Sequence, residues 1–74
     1  MSQNTDVAPR ELSSVIRRLR TEFEGVHREE TVQRCVQAAR QGALEVTGSA
    51  TADLVERIAR QHLRVLALAF AENG

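Results

Sequence analysis

The stretch "ADLVERIARQHLRVLALAFAE", Ala52 to Glu72, decides how this chain folds. It holds no Pro or Gly, and from Leu63 to Ala71 its only polar residue is Arg64. At about 100° per residue, Leu54, Val55, Ile58, Ala59, Leu63, Val65, Leu66, Ala69 and Phe70 fill an arc of roughly 180°, and Ala67 and Leu68 widen it near the end. One core-facing stripe needs only about 100°. The segment therefore predicts a long helix with more apolar surface than a single packing face requires. Asp53, Arg57, Arg60 and Arg64 fall on the remaining side and mark its solvated edge.

Working backwards, "TGSAT", Thr47 to Thr51, is a break, with Ser49 or Thr51 as candidate caps and Asp53 in the first turn that follows. Before it, Val32, Val36, Ala39, Ala43 and Val46 recur at spacings of helical period with Cys35 beside them, so a second helix starts near Arg28 to Glu30. Ala39, Gly42 and Ala43 are small enough to admit a neighbouring backbone. Gly25 offers a stop for a first helix, whose stripe is Leu12, Val15, Ile16, Leu19 and Phe23. Pro9 suits that helix's first turn, with Asp6 as a candidate cap. No segment alternates with period two. The expected fold is an all-α, small three-helix bundle spanning residues 9–74, preceded by a disordered arm over 1–8.

A chain of 74 residues hides only about 60% of the surface its unfolded form exposes, so its core is small. Chains of this size gain stability from disulfides, metals or partners. One cysteine rules out an internal disulfide and fits a reducing, cytoplasmic setting, and no leader or long apolar span points to export or a membrane. Ten basic residues, all Arg, balance ten acidic ones. That neutrality argues against nucleic-acid binding, which draws its affinity from phosphate contacts. With two Phe as the only aromatics, a base-stacking platform is not expected. An anionic membrane surface is disfavoured on the same charge argument.

The residues capable of chemistry do not converge. Cys35 lies on an apolar stripe with no Cys or His at ligand spacing and reads as a buried structural thiol. His27 and Glu30 form an H-x-x-E pair, too few ligands for zinc or a di-iron centre, and His27 is placed at the surface near a loop. His62 projects near the middle of the apolar arc and reads as a neutral, hydrogen-bonded imidazole in a core or an interface, where its protonation would weaken folding or pairing. Arg18 with Glu22, Arg20 with Glu24, Glu30 with Arg34, Asp53 with Arg57 and Glu56 with Arg60 are i,i+4 pairs of solvated faces. No catalytic residue, cofactor or metal site is expected.

The segments "ELSSVIRRLRTEF", "EETVQRCVQAA" and above all "LVERIARQHL" carry a resemblance. The chain is similar, over about Glu11 to Leu66, to the three-helix-bundle dimerisation domain that precedes the low-molecular-weight phosphatase-like arsenate reductase domain in actinobacteria and also occurs alone. The pattern Leu54, Val55, Glu56, Arg57, Ala59, Arg60, Leu63 is its most specific part. The resemblance implies a bundle that pairs chains and does no chemistry. The oxyanion-binding loop of such enzymes needs Cys, five residues and Arg; here four residues separate Cys35 from Arg40, within a helix.

The function expected is therefore a non-enzymatic interaction module that forms a homodimer through the wide apolar face of the third helix. Its candidate interface is Leu54, Ile58, His62, Val65, Leu66, Leu68 and Phe70. The alternative is a helical adaptor for a different protein, such as a phosphatase or arsenate-reductase-type enzyme or a regulator, with DNA binding behind both.

Overall fold

The computed structural model describes the backbone of residues 5–73 and the side chains of 6–71. Three helices account for most of it: α1, Pro9–Glu22; α2, Glu29–Thr47; and α3, Ala52–Asn73. Two short extended pieces, β1 (Thr5–Asp6) and β2 (Ser49–Ala50), pair in parallel, with Thr5 opposite Ser49 and Asp6 opposite Ala50. The architecture is a three-helix bundle, as the helical periods predict, with one ladder that periodicity does not show.

Local chemistry sets the boundaries. Pro9 occupies the first turn of α1, where its missing N–H costs no hydrogen bond. Glu11 reaches back to accept the Ala8 N–H at 3.4 Å, so the first turn is held by its own third residue rather than by Asp6. After Phe23 the chain turns tightly: the Val26 and His27 N–H groups both donate to the Phe23 carbonyl. Gly25 takes φ +83° within that turn, a backbone state that disfavours side chains. Gly48 ends α2 in the left-handed conformation, its N–H donating to the Leu44 carbonyl at 2.9 Å. Thr51 Oγ1 then accepts the Leu54 N–H at 3.2 Å and caps α3.

Val15 and Leu19 of α1, Val32 and Val36 of α2, and Val55, Ala59 and Leu63 of α3 are all fully shielded from solvent. Ala39 and Ala43 of α2 join them. Gly42 does not: a Cβ built there meets nothing within 4 Å, so close packing rests on the two alanines. Val46 also departs from expectation, at 84% exposed. The period gives its angle around α2 but not the length over which neighbours cover that angle.

Residues 1–4 of the expected arm lie outside the described residues; residues 5–8 are tied down. Val7 is buried in the core, and Ala50 in the facing strand is fully shielded. Asp6 Oδ1 and Oδ2 accept Arg40 Nε and Nη2 at 2.9 and 2.8 Å, a two-pronged contact that holds the Asp6 carboxyl below the usual carboxylate range. The segment is short and carries only Val7 and Ala8 as apolar residues, which is why it reads as an arm in sequence; its anchor is a partner 34 residues away.

Candidate interaction surface

The third helix carries two apolar faces rather than one broad one. Its inner line, Val55, Ala59 and Leu63, is fully enclosed by α1 and α2, and Leu54 and Leu66 are partly covered against the same core. Outside that line Ile58 is 38% exposed, Val65 53%, Leu68 66% and Phe70 55%. Isolated exposed apolar residues are ordinary on protein surfaces. Four on one helix, three of them in a row on one side, are the observation that stands out in this molecule.

The expected interface residues therefore separate. Ile58, Val65 and Leu68 share the outer stripe, and Leu54, at its N-terminal end, is partly covered by the core. Leu66 turns towards the core. Phe70 continues the inner line into the last turns of α3, where its ring meets His27 edge-on at 5.6 Å between centroids. His62, expected inside a core or interface, is exposed in the single chain. It edges a shallow groove with Thr31, Arg34, Cys35, Ala38 and Leu66.

The more enclosed histidine is the other one, half-buried rather than exposed. His27, expected at the surface, sits between Phe23, at 5.5 Å, and Phe70. Its Nε2 lies 2.8 Å from the Leu63 carbonyl oxygen. A carbonyl can only accept, so Nε2 carries a hydrogen. Nδ1 is shielded and has no hydrogen-bond partner among the described residues. Only the tight turn after Phe23 brings this ring over α3, and no spacing rule for helices reports that.

Charged residues also pair differently from the i,i+4 reading. Glu56 Oε1 accepts Arg18 Nη2 at 2.6 Å, and its Oε2 accepts Arg60 Nη2 at 2.8 Å; Arg60 Nε also reaches both oxygens of Glu22 at 3.0 Å. This chain of four charges stitches α1 to α3, so Arg60 belongs to the interhelical boundary rather than to the solvated edge. Arg20 pairs with Glu29 at 2.6 Å across the first turn region. Of the five expected i,i+4 pairs, Glu56 with Arg60 is the one among the described ion pairs. Longer-range partners win at Arg18, Arg20 and Arg60 because each faces a carboxylate of a neighbouring helix. The Arg18 guanidinium, with Arg60 assisting, holds the Glu56 carboxyl below the usual carboxylate range against the opposing effect of burial.

Cys35 is buried and free, and desolvation pushes its thiol up, towards the protonated and less nucleophilic form. Among the described residues no group of three His, Cys, Asp or Glu side chains gathers to hold a metal ion. Nor is any described helix long and apolar enough to cross a membrane. Comparison of the chain with models of protein families, with curated proteins and with solved structures gives no match. The outer stripe of α3 is thus the feature from which function has to be argued.

Proposed function

We propose that this protein is a non-enzymatic interaction module that self-associates through the outer face of α3. The observation that carries the reading is the exposure of Ile58, Val65 and Leu68 in sequence along one side of a helix whose other side is already fully used. A self-complementary surface needs no second gene product, and closed two-fold pairing is the commonest outcome for such a surface. The resemblance to the pairing domain of actinobacterial arsenate reductases supports the same reading independently of the exposed residues.

Light scattering coupled to gel filtration, run from micromolar to ~1 mM protein, tests it. A mass rising towards twice that of one chain is expected. Leu68→Glu, which places a charge at the most exposed of the three positions, should keep its helicity and run as a monomer throughout. A wild-type chain that stays monomeric at the highest concentration refutes the proposal.

A further inference from the structure

The outer stripe has a stricter pattern than exposure alone. Leu54, Ile58, Gln61, Val65 and Leu68 follow one another at intervals of four, three, four and three, the a/d spacing of a two-stranded coiled coil. Ile58 and Val65, both β-branched, take the a positions; Leu54 and Leu68 take the d positions. That division is the one that favours two parallel strands. The stripe lies about 140° around α3 from Val55, Ala59 and Leu63, on the side where Ile58, Gln61, Val65 and Leu68 are exposed and Leu54, at its start, is partly covered by the core. The helix is already held by its own bundle, so pairing does not have to order it.

The flanks decide the direction. On one side of the stripe lie Arg57 and Arg64; on the other lie His62 and Ala69, all four exposed. An antiparallel partner sets like flank against like flank and brings Arg57 of each copy beside Arg64 of the other. A parallel partner sets the arginine flank against the opposite one, placing Arg57 near His62 and Arg64 near Ala69. Like charges in contact oppose pairing, so the parallel arrangement is the one the charges permit. Gln61, exposed and alone among the five in being polar, then faces its own copy in the central layer. Each amide can donate to and accept from the other.

Resting on the self-association reading, we infer that two copies pair through α3 as a parallel, in-register two-stranded coiled coil over Leu54 to Leu68, with Gln61 against Gln61 fixing the register. A single polar Asn or Lys at an a position sets register at a cost in stability, and Gln61 at its d position is the counterpart here.

Cysteine cross-linking tests this in the full chain with Cys35→Ser as background. Leu54→Cys and Leu68→Cys are made separately, with Ser13→Cys on α1 as a collision control, and air oxidation with copper phenanthroline joins thiols that lie close enough. In the parallel arrangement each α3 variant cross-links to itself well above the control. In an antiparallel arrangement the two positions are separated from their own copies by about 21 Å, so each fails alone and only their mixture joins. That result, or a dimer by light scattering in which neither variant cross-links, overturns the inference while leaving self-association standing. A monomer at every concentration overturns both. Gln61→Leu adds a readout free of cysteine: the dimer should tighten about tenfold, and an unchanged dissociation constant removes Gln61 from the interface.

Discussion

Replacing Glu56 by Gln tests whether the interhelical charge chain is structural. The carboxylate accepts two arginine contacts, at 2.6 and 2.8 Å, and its side chain is 14% exposed. Two fully shielded charge-assisted hydrogen bonds would be worth ~3 kcal/mol or more. Arg18, however, is 56% exposed and Arg60 keeps Glu22, so solvent screening and the remaining partner bring the expected loss to about 1.5 kcal/mol. For a domain of this size that lowers the melting temperature by about 6–12 °C. The pH dependence has a definite sign. Arg18 and then Arg60 hold the folded-state carboxyl below its unfolded value, so the unfolded chain takes up the proton first as pH falls. The stabilisation is complete above the unfolded value near ~4.3 and is lost as pH drops through the lowered folded value. Thermal melts of both proteins from pH 7 to pH 3 should therefore show a constant gap down to about pH 5, then convergence. A gap that does not narrow between about pH 5 and pH 3, or none at pH 7, would refute the assignment.

Gly42 is inside α2 with open space where a Cβ would go; Gly42→Ala should stabilise the protein by about 0.5–1 kcal/mol in urea unfolding, and a loss would show that the glycine admits a neighbour after all. His27→Ala removes a hydrogen bond to Leu63 and two ring contacts and should cost about 2 kcal/mol. His62→Ala should change folding stability by no more than ~0.5 kcal/mol, measured where the chain is monomeric. Equal effects at the two histidines would contradict their placement.

The helices were legible because each carries its own punctuation. Pro9, Gly25, Gly48 and Thr51 act on backbone atoms within a few residues, so their effects can be read locally. The enclosed lines of α1 and α2 follow from period, Val46 excepted. What could not be read depends on contacts between distant parts of the chain. Thr5–Asp6 pairs with a strand more than forty residues on, and Arg18 selects Glu56 on another helix over Glu22 one turn away. His27 packs against the core and His62 lies outside it for the same reason. His62 has an apolar angle on α3, but α1 and α2 do not cover that angle, whereas the Phe23 turn carries His27 under Phe70. The wide arc of α3 was visible in sequence; its division into an enclosed line and an open stripe required the positions of the other two helices.

The open stripe also limits how strongly copies can hold together. If pairing hides ~400 Å² of apolar area, the gross gain is about 10 kcal/mol. Association costs at least ~4 kcal/mol in lost freedom, which leaves no more than about 6 kcal/mol and a dissociation constant no tighter than tens of micromolar. Leu54, packed against the core, and Ile58, already about two-thirds covered by its own chain, contribute least to that gain, and Leu68 most. Most of the available binding energy therefore sits towards the C-terminal half of α3. A measured dissociation constant in the nanomolar range would mean that pairing buries surface beyond the stripe. Phe70, more than half exposed at the end of the same helix, would then be the first residue to substitute.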